Sequence, residues 1–360
     1  MIRWRKGTVE SVRREWPGAV ELDVAIDGDG TRRALAYTAL VGRPQPGDTV
    51  LLNTTALALG LGTGGYAMVA AVPDRLPPDP VGPGHLVKAR YTPLQATVLG
   101  ADEQDSPHHE TLRDADSVDG MPVIVADLHS ALPPILAGLL AERPGARVVY
   151  VMTDGGALPA WFSMSIARLR QAGALAATVT VGQAFGGDLE TVTVHTGLLA
   201  ARLVLDADAA VVAQGPGNLG SGTRWGFSGV AAGEAVNAAA ALSGRPVASL
   251  RVSEGDARER HQGVSHHSLT AYGRVALAPA DVVVPELGGE LGQRVAAQAA
   301  PLGERHSLVP VPVDGLYDVL QAAEADWGVR LSTMGRRLDE DSAYFLSAAA
   351  AGRHAAALLA

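Results

Sequence analysis

Six short runs of apolar, mostly β-branched residues recur along the last two thirds of the chain, and they constrain the fold more than any other feature. They are VIVAD (123–127), RVVYVM (147–152), AATVTVG (176–182), AAVVAQ (209–214), PVASLRV (246–252) and ADVVVPE (280–286). Most are separated by alanine- and leucine-rich segments whose apolar residues recur at the helical period. Strands without polar alternation are buried on both faces, and their alternation with helices is typical of parallel sheets. The pattern predicts an α/β domain with a mostly parallel, doubly wound, Rossmann-like sheet.

The first 72 residues follow a different pattern. Short alternating strands such as AVELDVAI and DTVLLNTTA are separated by turn sequences, including Asp27-Gly28-Asp29-Gly30. Several short strands in so few residues predict a small all-β barrel or sandwich. A proline- and glycine-rich stretch at 73–85 is typical of a linker. We therefore expect a β domain at 1–72, a linker at 73–85, and an α/β domain at 86–360 that carries the functional site.

The composition excludes several classes of protein. The chain has no cysteine, which rules out disulfides, thiolate catalysis, iron–sulfur clusters and cysteine-rich zinc sites. No apolar run approaches the ~20 residues of a membrane span, so we expect a cytoplasmic protein without a membrane partner. The net charge of −9 disfavours nucleic acid as a partner. The only support for it is a group of basic residues near the start, Arg3, Arg5, Lys6, Arg13 and Arg14. The composition is also compatible with a homo-oligomer.

Five loops that follow predicted strands are rich in glycine and in small polar or ionisable residues. Ligands of open α/β sheets bind beyond the carboxyl ends of the strands, where these loops lie. The loops are 127–130, 153–156, 182–188, 215–223 and 253–261, and the last is followed closely by Ser265-His266-His267. Each loop alone is compatible with a purely structural turn. Together they predict one pocket at this edge of the sheet.

The loop at 215–223 contains the spacing G-x-G-x-x-G after a strand. A dinucleotide site would also need an acidic residue at the end of the next strand, and a P-loop would need a lysine after the glycines; both are missing. The chain shows no flavin or haem signature either. Closely spaced glycines let backbone N–H groups converge on a small anion such as a phosphate or carboxylate, to which Ser221, Thr223 and Arg224 could add donors. The alternative is a tight connection to a helix that begins near Gly226. The predicted anion-binding residues are Gly215, Gly217, Asn218, Gly220, Ser221 and Thr223, with Gln183, Asp188, Arg251 and Arg258 from neighbouring loops.

The segment 251–270 concentrates three arginines and three histidines, and Ser265 is placed to cap a short helix. Neutral histidines act as general bases or metal ligands, and nearby arginines favour the neutral form. The histidine spacing is not that of a helical metal motif, so a metal site would need loop geometry. The alternative is a helix cap held by its own hydrogen bonds. We predict catalytic roles for His261, His266, His267, Asp127 and Asp154. A divalent metal site is left open, with His129, His266, His267 and Asp127 as its candidate ligands.

Six stretches of the sequence, most of them in the predicted α/β domain, form a recognisable set. They are LVKARYTPLQATVL (86–99), ADEQDSP (101–107), VGQAFGGD (181–188), GPGNLGSGT (215–223), RHQGVSHHSLT (260–270) and LSTMGR (331–336). Together they resemble a bacterial family known as domain of unknown function 3866, and the likeness covers most of the chain. The resemblance implies a bacterial protein. The family has no assigned activity, so the resemblance supplies no mechanism.

These observations favour an enzyme that acts on a small anionic metabolite, bearing a phosphate or carboxylate, by acid–base or metal-assisted chemistry, as hydrolases and transferases do. The 215–223 loop would bind the anion and Arg251 or Arg258 would neutralise it. The histidines, with Asp127 and Asp154, would carry out the chemistry. The alternative is a non-catalytic ligand-binding or regulatory protein that uses the same pocket. Both interpretations require the loops to share one cavity.

Overall fold

The structure is a computed structural model that describes residues 1–62 and 64–359. These residues divide into two compact units, with the boundary between Val98 and Leu99. The first unit contains strands β1 (Trp4–Trp16), β2 (Ala19–Ile26), β3 (Gly30–Tyr37), β4 (Thr49–Asn53), β5 (Ala67–Ala71), β6 (Leu86–Lys88) and β7 (Ala96–Val98), with short helices α1 (Thr38–Val41) and α2 (Thr55–Ala58). The predicted linker therefore precedes a hairpin of β6 and β7 that groups with the first unit.

Strands β1 to β5 form a closed barrel in the order β1-β2-β3-β5-β4, which β1 closes by pairing with β4. All pairs are antiparallel except β3 with β5. This order, with its one parallel pair, is the connectivity of the OB fold. Alternate residues of β2 point inward and form much of the core, namely Val20, Leu22, Val24 and Ile26. The prediction of a small all-β domain is confirmed, and it is a barrel.

The second unit is built on eight parallel strands in the order β11-β10-β9-β12-β8-β13-β16-β17. These are β8 (Pro122–Val125), β9 (Val148–Thr153), β10 (Ala177–Thr180), β11 (Leu189–Glu190), β12 (Ala209–Gln214), β13 (Arg245–Ser249), β16 (Asp281–Glu286) and β17 (Ser307–Pro312). Two small hairpins pair β14 (Val252–Ser253) with β15 (Gly263–Val264) and β18 (Ser332–Thr333) with β19 (Arg336–Arg337).

Helices cover both faces of this sheet. They are α3 (His109–Leu112), α4 (Leu132–Glu142), α5 (Met164–Gln171), α6 (Val194–Leu203), α7 (Ala231–Ala241), α8 (His266–Thr270), α9 (Gly289–Ala299), α10 (Leu316–Trp327) and α11 (Ser342–Ala357). One face packs against α4, α5, α10 and α11, and the other against α6, α7 and α9. Within β8, Ile124 lies in the first core while Val123 and Val125 lie in the second. Burial on both faces explains the absence of polar alternation, and the Rossmann-like prediction is confirmed.

The chain connections create a crevice at the carboxyl end of β8. From β8 the chain continues into α4 on one face, whereas from the neighbouring β12 it continues into α7 on the other face. Connections that leave adjacent strands toward opposite faces open the sheet edge between them, and ligands of such sheets bind there. A ligand site of this fold is therefore expected among the residues that follow β8, β12 and β13.

Among the residues that the structure describes, no helix combines the length and the apolar character needed to cross a membrane.

Candidate active site

Asp127 lies at the crevice, two residues beyond the end of β8. Its side chain is buried, and its Oδ2 atom has no hydrogen-bond partner among the described residues. The nearest opposite charges are Nη1 of Arg251 at 3.9 Å and, when protonated, Nδ1 of His267 at 3.7 Å. A buried carboxylate without hydrogen bonds requires compensation by a nearby charge. The structure therefore brings two predicted site residues from the 251–270 segment to Asp127.

Arg251 lies between two carboxylates, and only 2% of its side chain is exposed. Its second terminal nitrogen is 3.7 Å from Oδ2 of Asp256. Asp256 also accepts hydrogen bonds from Nε and Nη2 of Arg258, at 2.8 and 2.7 Å, and these hold the pKa of its carboxyl group below the usual value. Arg336 contributes a further contact at 3.4 Å. Arg251 and Arg258 are thus neutralised within the protein, and the anion-binding role predicted for Arg258 would compete with its bidentate bond to Asp256.

A hairpin folds the 251–270 segment back on itself and brings the three histidines together. Strand β14 pairs with β15, so the intervening loop returns His261 to the start of α8, where His266 and His267 lie. One potential ligand nitrogen from each ring lies within 4.8 Å of the other two. The predicted helix cap is confirmed: Oγ of Ser265 accepts the backbone N–H of His267 at 3.2 Å. The same hydroxyl is 2.7 Å from Nδ1 of His261.

The environment keeps two of these imidazoles neutral at pH 7. Burial, and then the charges of Arg251 and Arg258, lower the pKa of His261 to about 3. Burial, His267 and Arg260 lower the pKa of His266 to about 4. Nε2 of His266 is buried and has no hydrogen-bond partner among the described residues. A neutral imidazole with a free nitrogen is the form that binds metals or accepts protons.

The loop at 215–223 is anchored to the same crevice. Nε2 of Gln214 donates to the backbone oxygen of Asp127 at 2.6 Å and to Oδ1 of Asn218 at 2.9 Å. The hydroxyls of Ser221 and Thr223 instead bond each other at 3.1 Å and the backbone of Gly226. The expected helix start near Gly226 is replaced by a 3₁₀ turn at Ser228–Val230, after which α7 begins. The loop therefore closes largely on itself.

A cleft of about 710 Å³ connects the tip of this loop with the histidine cluster. Its walls come from the 215–223 loop and its flank, from the histidine segment and α8, and from α9 and the turn after it. The lining residues are Gly222, Arg224, Arg260, His266, Leu269, Thr270, Gly273, Arg274, Gln298, Pro301, Leu302 and Glu304. His266 thus belongs both to the cleft and to the three-histidine cluster.

Three other predicted site residues, His129, Asp154 and Asp188, form hydrogen bonds that stabilise nearby segments of the second unit. Nδ1 and Nε2 of His129 lie 3.0 Å from the Tyr150 hydroxyl and 2.7 Å from the Ser163 hydroxyl, and burial lowers its pKa to about 4. The group of histidines that converge does not include His129. Asp154 is exposed, and its Oδ2 accepts the backbone N–H of Gln183 at 2.8 Å. Asp188 accepts the backbone N–H of Thr178 and pairs with Arg170 at 3.1 Å.

Some residues of the site were not selected from the sequence. The ring of Phe227 stacks on that of His267, with the ring centres 3.8 Å apart and the planes 3° from parallel. Arg224, by contrast, follows from the sequence as a further donor beside the 215–223 loop. Arg260 adjoins His261, so proximity along the chain was a usable signal for it. Arg274 lies in a π-helical turn at Ala271–Val275, and no local pattern marks it, because packing alone turns it toward the cleft.

Fold and site together define a protein with an OB-type barrel and a Rossmann-like unit, whose buried histidines, carboxylates and arginines meet at the carboxyl edge of the parallel sheet. A family model described as "Protein of unknown function (DUF3866)" matches residues 33–352. The chain belongs to this family. No curated protein and no solved structure matches the chain.

Proposed function

We propose that this protein is an enzyme that acts on a small anionic metabolite and uses a divalent metal ion held by His261, His266 and His267. The observation that carries the proposal is the convergence of their ring nitrogens within 4.8 Å at the edge of the sheet where ligands bind. Nitrogen ligands at about 2.1 Å from a tetrahedral ion are about 3.4 Å apart. Small rotations of the rings would therefore complete the site, and three protein ligands leave one position open for water or substrate, as in catalytic zinc sites.

The surroundings of the rings support metal binding. Metal-bound histidines usually donate their second ring nitrogen to a hydroxyl, carbonyl or carboxylate, which orients the ring. Ser265 holds Nδ1 of His261 at 2.7 Å. Nδ1 of His267 lies 3.4 Å from Nη1 of Arg251 and 3.7 Å from Oδ2 of Asp127. With Nδ1 of His267 donating to Asp127, Nε2 of His261 and of His267 would be left to hold the ion, and the carboxylate of Asp127 would gain the hydrogen bond that it lacks.

The metal would lower the pKa of a bound water molecule and polarise an oxygen of the substrate. The residues of the chain then have separate roles. The imidazoles would hold the ion, Asp127 would orient His267, and Arg251 would pair with the buried carboxylate of Asp127. Acid–base or metal-assisted hydrolysis and group transfer both fit these roles.

The test is the metal content of the purified full-length chain. After growth with zinc, manganese or cobalt, we expect about one equivalent of a divalent ion by elemental analysis, removable by a chelator. His261→Gln and His267→Gln should each lose the ion, whereas His195→Gln, an exposed histidine on α6, should retain it. Circular dichroism shows whether each variant is folded.

Turnover is tested with the same proteins against a panel of phosphorylated and carboxylated metabolites. We expect activity in the metal-loaded wild type and in His195→Gln, and loss of activity in folded His267→Gln. A wild-type chain that binds none of these ions, or glutamine variants that bind them as tightly as the wild type, would refute the metal site.

A further inference from the structure

The cleft beside the histidine cluster has three arginines on its walls. Arg224 follows the 215–223 loop, Arg260 precedes His261, and Arg274 comes from the π-helical turn after α8. Glu304 is the one acidic residue on the same walls. The cleft therefore presents three permanent positive charges against one negative charge.

None of these three side chains forms a hydrogen bond or an ion pair within residues 1–62 and 64–359. Two other arginines of the 251–270 segment differ from them, because Arg251 and Arg258 both contact Asp256. Guanidinium groups that line one cavity without carboxylate partners create a positive potential there, which attracts an anion from solution.

We infer that this cleft binds the phosphate group of a phosphorylated small molecule, through Arg224, Arg260 and Arg274. This inference rests on the proposed function and names its substrate class. A guanidinium group binds phosphate oxygens in a bidentate fork, and a phosphate monoester offers three terminal oxygens and close to two charges at neutral pH. A carboxylate offers two oxygens and one charge, which a single arginine satisfies. Three unpaired arginines therefore favour phosphate.

The size of the cleft leaves room for more than the phosphate. Its volume of about 710 Å³ lies within the range of small-molecule sites. Leu269, Pro301 and Leu302 supply apolar walls for the remainder of the ligand. The α9 side is held in place, because Oε1 of Gln298 accepts the backbone N–H of Val264 at 2.7 Å. Through His266, which lines the cleft, the phosphate would lie beside the proposed metal centre.

The experiment is calorimetric titration of the full-length chain with inorganic phosphate and, separately, with acetate. Loss of one charged hydrogen-bonding partner should weaken phosphate binding about tenfold or more in Arg260→Ala and in Arg274→Ala. Arg32→Ala, which removes an exposed arginine of the barrel, is the matched control and should bind phosphate as the wild type does. All three positions are exposed, so we expect unchanged melting temperatures.

Each outcome separates this inference from the proposed function. Phosphate binding that is absent from the wild type, unaffected by Arg260→Ala and Arg274→Ala, or no tighter than acetate binding overturns the phosphate site, whatever the metal content. Phosphate binding that depends on these arginines supports it. If the chain binds no metal but shows this dependence, the metal site fails and the phosphate site stands.

Discussion

Replacement of Arg251 by methionine tests the charge arrangement under the site. Arg251 is buried between Asp127 and Asp256, at 3.9 and 3.7 Å, and the methionine keeps most of its volume while removing its charge. At an effective dielectric constant of about 20, each attraction amounts to about 4 kcal/mol. Desolvation of the buried ions offsets several kcal/mol of the two attractions together. The variant should therefore lose about 3–5 kcal/mol of its free energy of unfolding, as other proteins do when one partner of a buried ion pair is removed.

Urea denaturation measures this loss when it is followed by the circular dichroism signal of the helices, because most of the helices lie in the second unit, which contains Arg251. Arg260→Met is the matched control, since that arginine is exposed and unpaired in the same segment. We expect the free energy of unfolding of the control to stay within about 0.5 kcal/mol of the wild type.

A double variant identifies the partner. Asp127→Asn removes the carboxylate that Arg251→Met leaves uncompensated, so the two changes together should destabilise less than the sum of each alone, by about 1–3 kcal/mol. Asp256 retains Arg258 and Arg336 as partners, which is why we assign the coupling to Asp127. Strictly additive effects, or an Arg251→Met variant as stable as Arg260→Met, would refute the reasoning.

Two further predictions concern stability. Gly138→Ala should destabilise the second unit by about 1–3 kcal/mol, because a Cβ atom there would overlap the carbonyl oxygen of Ala349 where α4 packs against α11; urea denaturation measures this, and Gly145→Ala, where a Cβ meets nothing within 4 Å, should show no such loss. Burial lowers the pKa of His129 to about 4, so the unfolded chain, with a pKa of about 6.5 for this residue, takes up the proton first as the pH falls. The free energy of unfolding should therefore decrease from about pH 6.5 to pH 4, and His129→Asn should reduce this decrease by up to about 3 kcal/mol; an unchanged pH dependence would contradict the prediction.

The strands could be predicted with some accuracy because their signals are local. The runs at 123–127 and 209–214 became Pro122–Val125 and Ala209–Gln214, with small shifts only at the ends. Their order in the sheet could not be predicted in the same way. β12, the fifth strand of this sheet along the chain, lies between β9 and β8. No feature of its apolar sequence specifies these neighbours, because any buried strand would satisfy them.

The candidate site likewise combines features that local sequence predicts with features that only long-range contacts decide. The sequence singled out Asp127 and the histidines because ionisable residues follow strands there, and the structure brings His261, His266 and His267 together. It selected Arg258 for anion binding, whereas that side chain forms a bidentate bond with Asp256. Whether an arginine is paired or free depends on which carboxylate the fold places beside it.

By itself, the sequence determined two classes of structure, a small all-β domain and a parallel α/β sheet, since periodicity, turn residues and β-branched runs act over a few neighbouring positions. It also determined which loops carry ionisable groups. The tertiary structure alone decided which of these groups meet, which charges cancel, and that Arg274 faces a cleft shared with Arg224 and Arg260. Those outcomes depend on contacts between residues far apart in the chain, which follow from strand order and packing.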